Sequence, residues 1–99
     1  MKHEIVLSPQ ARAQFHGLSA YDRAKVRDAI DTHLQHHPTA ESKSRIKRLR
    51  GLRQPQYRMR VDDMRVFYDV NDESNRVEVL GFVNKSDTPE WLNLHGVPE

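Results

Sequence analysis

The sequence predicts an α+β fold: a strand, a helical hairpin, then an antiparallel meander sheet with the helices packed on one face, and a short C-terminal helix. Three observations predict it. Apolar residues recur at helical spacing between Ala11 and Leu34. From Tyr57 to Val83 they fall instead into short blocks separated by turn clusters, as strands do. A last apolar pair, Trp91-Leu92, follows the helix-start signal Asp87-Thr88-Pro89. The chain has 99 residues, enough for one domain, residues 1–99, around one modest core.

The elements follow in order. His3 to Leu7 reads as a first strand. Ser8-Pro9 starts a helix, with a serine oxygen to cap free N–H groups and a proline where a missing N–H costs nothing. Ala11, Phe15 and Leu18 give that helix its apolar face, and Gly17 and Ser19 interrupt it. Ser19-Ala20-Tyr21-Asp22 resembles a capping box and opens a second helix, in which Val26, Ile30 and Leu34 repeat every four residues. Pro38 stops it. A second strand lies within Ser44 to Leu52, ended by Gly51, and Gly51 to Pro55 reads as loop. Tyr57 to Val61 and Arg65 to Val70 are the third and fourth strands, turning at Asp62-Asp63. Asn71 to Asn75 is a turn cluster. Val77 to Val83, the most apolar strand, belongs well inside the sheet. Gly96 and Pro98 end the terminal helix.

Charge is concentrated rather than large. The formal net charge is +2, yet nine of the sixteen Lys and Arg residues lie between Lys43 and Arg65, with only Asp62 and Asp63 opposing them. Alternation along a strand puts Arg58 and Arg60 on one face and Tyr57, Met59 and Val61 on the other. The hairpin then brings Arg65 alongside. Guanidiniums gathered without interleaved carboxylates call for an anion, and a nucleic-acid phosphate is the expected one. The basic run holding Lys47, Arg48 and Arg50 reads as a further RNA-binding surface or as a solvated basic strand. Arg65 has a second reading, an ion pair with Asp62 or Asp63.

Cysteine is absent, which removes disulfides, thiolate nucleophiles and Cys-based zinc sites and suits a reducing cytoplasm. No leader or membrane span is expected. His33, His36 and His37 have helical spacing, but no acid or cysteine completes a ligand set, so no metal and no cofactor are expected. Tyr57 and Tyr68 read as core or strand-pair aromatics.

The order of these elements, with Tyr57-Arg58-Met59-Arg60 and Met64-Arg65-Val66-Phe67-Tyr68-Asp69-Val70 at the centre, resembles the RelE/ParE superfamily of bacterial toxins from type II toxin–antitoxin modules. Leu49-Arg50-Gly51 and Val79-Leu80-Gly81-Phe82-Val83-Asn84-Lys85 extend the resemblance over nearly the whole chain. In the RelE branch it implies an endoribonuclease that needs no metal and cuts mRNA in the ribosomal A site. The implied partners are a cognate antitoxin, mRNA and the ribosome with its ribosomal RNA. By this resemblance Arg58, Arg60, Arg65 and Lys85 are the catalytic residues. Lys85 stands where that branch has an arginine, and Trp91 where it has a tyrosine, so Trp91 keeps a stacking ring without a hydroxyl. Trp91 then either stacks on a base or packs with Leu92 on the sheet.

Metal-free RNA cleavage needs a proton acceptor for the 2′-OH, a donor for the leaving 5′ oxygen, and fixed positive charge around the phosphorane. The basic residues supply the last. Lys85, Asp62, Asp63, Glu90 and His95 are all candidates for proton transfer. Two alternative functions belong to other classes: a gyrase-inhibiting toxin of the ParE branch, and a decayed homologue that only binds its antitoxin.

Overall fold

A computed structural model describes residues 2–99. Its main sheet has five strands in the order β1-β6-β5-β4-β2. These are β1 (Glu4–Leu7), β2 (Ile46–Arg48), β4 (Tyr57–Val61), β5 (Met64–Asn71) and β6 (Arg76–Asn84). β1 runs parallel to β6, and the other pairs are antiparallel. The two long, apolar strands β5 and β6 occupy the middle, as continuous hydrophobic runs require.

The helical hairpin forms where its caps predict. Ser8 Oγ accepts the Ala11 N–H at 3.1 Å and Pro9 opens α1 (Pro9–Gly17). Ser19 Oγ accepts the Asp22 N–H at 3.1 Å and opens α2 (Ala20–Ala29). The four-residue apolar repeat then continues through a π-helical turn, Ile30–Leu34, rather than one unbroken α-helix. Both ends of that turn are buried. The hairpin's apolar side meets Met59, Val66, Tyr68, Val79 and Phe82 in the main core. Tyr68 donates its hydroxyl to the Pro38 carbonyl at 2.6 Å and stacks on Tyr57, with 5.5 Å between ring centres.

The chain departs from its sequence-based expectations in two places. Leu52–Gln54, read as loop, forms β3, and it pairs with β7 (Val97–Pro98), read as a helix terminator. The second strand is correspondingly short, and Gly51 turns the chain at φ 76° between β2 and β3. The second departure concerns the layers. α3 (Thr88–His95) lies across the face opposite the hairpin, where it builds a smaller core from Trp91, Phe67 and Val83. The sheet is thus covered in part on both faces, not left open on one. Gly81 makes this possible: a Cβ there would lie 2.6 Å from the Trp91 ring. Beside it, Leu80 is an extra residue in β6, since Phe67 faces Gly81 while Tyr68 faces Val79. That bulge lets Leu80 join the smaller core while Val79 and Phe82 serve the larger one.

Candidate nucleic-acid interface

β4 positions the site by simple alternation. Met59 and Val61 enter the main core, so Arg58 and Arg60 must emerge on the other face. The β4–β5 hairpin closes in two residues, with Val61 opposite Met64 and Asp62 in the left-handed conformation at φ 52°. This register sets Arg60 directly opposite Arg65, and Arg58 opposite Phe67. On the other flank β2 sets Lys47 opposite Arg58. Arg45 sits beside Arg60: its carbonyl accepts the Arg60 N–H at 2.8 Å, and its Nη1 donates to the Arg60 carbonyl at 3.2 Å. The face therefore carries two rows across the strands, Arg60–Arg65 and Lys47–Arg58–Phe67, with Arg45 at its edge, bent onto the Arg60 carbonyl and near His33 and Asp62. The sequence alone singles out Lys47 but not Arg45. The available signal is their spacing of two in an extended segment, which puts both on one face.

The electrostatics of these rows are unfavourable for the fold. Arg65 is only 6% exposed. Its Nη1 donates to the carbonyls of Asp62 and Met64, at 2.9 and 3.0 Å. Burial holds its pKa below the ordinary arginine value, Arg60 adds to the depression, and Asp63 opposes it. Burial likewise lowers Arg58, followed by the charges of Arg65 and Arg60. Among the described residues, Arg58 Nε is buried without a hydrogen-bond partner. Like charges directly opposite on neighbouring strands destabilise a sheet by about 0.2–1 kcal/mol per pair. Asp63 offsets this in part at Arg65, but among the described residues no carboxylate forms an ion pair with the rows. The ion pairs found among the described residues are His3–Asp72, Lys25–Asp62 and Arg76–Glu4, none of which includes a residue of the rows. Lys25 holds the Asp62 carboxylate, so Arg65 takes that residue's backbone oxygen instead.

The other predicted residues are placed as follows. Lys85 is exposed in the 3₁₀ turn Lys85–Asp87, and its N–H donates to the Asp63 carbonyl at 2.7 Å. It stands at the β4–β5 turn, beyond the Val83 that faces Arg65, and its charge does not contribute to the shifts of Arg58 or Arg65. Arg50 is exposed beside Gly51. Arg48 is turned to the hairpin side: its guanidinium lies 5.5 Å from the Tyr57 ring centre and donates to the Leu49 and Gln56 carbonyls. Trp91 is 8% exposed. It stacks on Phe67 at 4.8 Å and 14°, and its Nε1 donates to Gln10 Oε1 at 2.9 Å. Its ring packs on the sheet, in one cluster with Phe67, Val83 and Leu92. His33 lies near Arg45, and its pKa falls through burial and then through that charge, against Asp28. Among the described residues no group of three or more His, Asp or Glu is gathered to hold a metal ion.

A family model described as the ParE toxin of the type II toxin–antitoxin system parDE matches residues 5–89. The chain belongs to this family. Several solved structures share its fold. RelE from the archaeal RelE–RelB complex of Pyrococcus horikoshii is 22% identical, with a TM-score of 0.70 over 86% of this chain and 97% of that one. A RelBE toxin–antitoxin complex of Mycobacterium tuberculosis gives 22% identity and a TM-score of 0.69, covering 85% and 99%. A mutant of Escherichia coli RelE in the free state gives 20% and 0.71, covering 94% and 93%. A search of the curated proteins finds no match. The sequence match is thus to the ParE toxin family, while these three structural likenesses are to RelE proteins or their complexes.

In this toxin, groups suited to proton transfer stand at the margins of the rows. Asp63 and Lys85 share a shallow hollow at the β4–β5 turn with Asn84, Ser86 and Pro89. His95 lies on α3, 5.2 Å from the Trp91 ring, and Glu90 is exposed on the same helix. No helix among the described residues is long and apolar enough to cross a membrane.

Proposed function

We propose that this toxin is a cytoplasmic endoribonuclease that cleaves mRNA in the ribosomal A site by 2′-OH attack, without a metal, and that a cognate antitoxin silences it. One observation carries the reading: Lys47, Arg58, Arg60 and Arg65 share a face on which, among the described residues, no carboxylate forms an ion pair with them. A fold keeps such repulsion when an anion relieves it. In the reaction the ribose 2′ oxygen attacks the adjacent phosphorus and the P–O5′ bond breaks, leaving a 2′,3′-cyclic phosphate and a 5′-OH. Arg58 and Arg60 meet the charge that builds on the phosphorane oxygens. Guanidiniums stay charged at neutral pH and need no reorganisation to do so. Arg65, tied to the turn carbonyls, fixes the row. Lys85 and Asp63, which share the hollow at the β4–β5 turn, give a proton to the 5′ oxygen and take one from the 2′-OH. An antitoxin with acidic, amphipathic segments would cover the same face.

The test is primer extension on cellular mRNA after induction of the toxin alone. Cuts spaced by codons within translated frames are expected, and Arg58→Gln or Arg60→Gln should lower cleavage by about a hundredfold or more. The ParE family match favours a second reading, inhibition of gyrase by the same scaffold. Intact mRNA together with relaxed plasmid accumulation would replace the first reading with the second.

A further inference from the structure

The basic face has walls, and they fix a direction. On the β6 side Trp91 lies over Gly81 and against Phe67, so both rows end under α3. At the end of the face beyond Lys47 and Arg58, Leu49 packs against that same smaller core. At the opposite end the β4–β5 turn presents Asp63, whose negative charge already acts on Arg65. Exposed Lys85 at that turn stands beside Asp63, whereas the β2 edge carries exposed cations next to Arg58 and Arg60. Arg45 and Lys47 are exposed there, in register with Arg60 and Arg58. The β2 edge is not free to recruit another strand either. Ser42 Oγ accepts the N–H groups of Arg45 and Ile46, and Glu41 Oε1 accepts that of Arg48. What remains accessible at this edge is its side chains.

We infer that the RNA substrate strand crosses the sheet perpendicular to β4 and leaves over β2, with Arg45 and Lys47 holding the phosphates next to the scissile one. This rests on the ribonuclease reading and adds the path of the substrate. From β5 to β2 the rows span two strand spacings, about 10 Å. That puts the scissile phosphate over Arg58 and Arg60 and the phosphates next to it over and just beyond the edge. A single strand suits the floor, since the α3 wall on one side would obstruct the second strand of a duplex.

The experiment is fluorescence anisotropy with 2′-O-methyl RNA oligonucleotides, which bind without being cut, over a series of salt concentrations. For a single strand the slope of log K against log salt is about 0.7 for each phosphate neutralised. The variant R45Q/K47Q should therefore lose about 1.4 from that slope, and K47Q alone about 0.7. K47Q keeps the Arg45–Arg60 backbone contact, so its result does not depend on local folding. Trimming the oligonucleotide from one end should abolish the difference between wild type and R45Q/K47Q. Trimming from the other should leave it. An unchanged slope in both variants, or equal losses on trimming at either end, would overturn the path. So would a wild-type protein that binds no RNA. Parallel cleavage of the 2′-OH oligonucleotide on ribosomes separates the two claims. Cleavage with an unchanged slope refutes the path alone, and the predicted slopes without any cleavage refute the nuclease reading alone.

Discussion

Replacing Trp91 with alanine distinguishes a structural ring from a substrate-binding one. The indole is buried, stacks on Phe67 at 4.8 Å, covers Gly81, and donates Nε1–H to Gln10. Truncating a buried tryptophan costs about 3–5 kcal/mol, which includes the cavity it leaves. Of this, the ring stack accounts for about 0.5–1.5 kcal/mol. The bond to Gln10 accounts for about 1 kcal/mol, the usual net worth of an intramolecular hydrogen bond. In a domain of this size each kcal/mol lowers Tm by about 4–8 °C, so a loss of about 12 °C or more is expected. Trp91→Phe keeps a ring on Phe67 and gives up only the bond and part of the area, so it should fall in between. Circular dichroism melts of the three proteins provide the assay, with RNA anisotropy measured well below each Tm. If alanine leaves Tm within 2–3 °C of wild type, about half a kcal/mol, while RNA affinity drops tenfold, the packing argument fails and the ring belongs to the substrate.

Three further outcomes follow from the geometry. Arg60→Gln removes a like charge directly opposite Arg65, so urea denaturation should show it more stable than wild type by about 0.2–1 kcal/mol, even as cleavage is lost. A destabilised variant would mean that the rows are compensated after all. Tyr68→Phe strands the Pro38 carbonyl and should cost about 1–3 kcal/mol by the same measurement. Burial pushes the Tyr68 phenol well above its ordinary value, so the native state keeps a proton that the unfolded chain releases. Wild-type stability should then fall as pH rises past about 10, and Tyr68→Phe should flatten that fall.

Much of the fold is legible in the sequence because its signals are local. Ser8-Pro9 and Ser19 cap their helices with the hydrogen bonds their positions imply. The alternation of Tyr57 to Val61 correctly separates core from basic face. The features that escape depend on residues far apart. β3 and β7 are too short to show a period, and each exists only because the other lies beside it. The position of α3 depends on Gly81, which lies in β6 ten residues before Trp91 and leaves room for that ring. A lone glycine in an apolar strand marks close backbone approach, so part of this signal was present. Arg48 shows the limit of reading a charge run as one surface. It lies next to Lys47 in sequence, but its side chain goes to the other face and settles on Tyr57.

The parallel pairing of β1 with β6 joins residues near 5 to residues near 77. During synthesis the first strand and the helical hairpin therefore wait for a neighbour that is made some seventy residues later. The arginine hairpin also lacks its β6 flank until then. Long-range closure of this kind slows folding relative to a helical bundle of equal size. A nascent chain thus cannot close its main sheet until Arg76–Asn84 has been made.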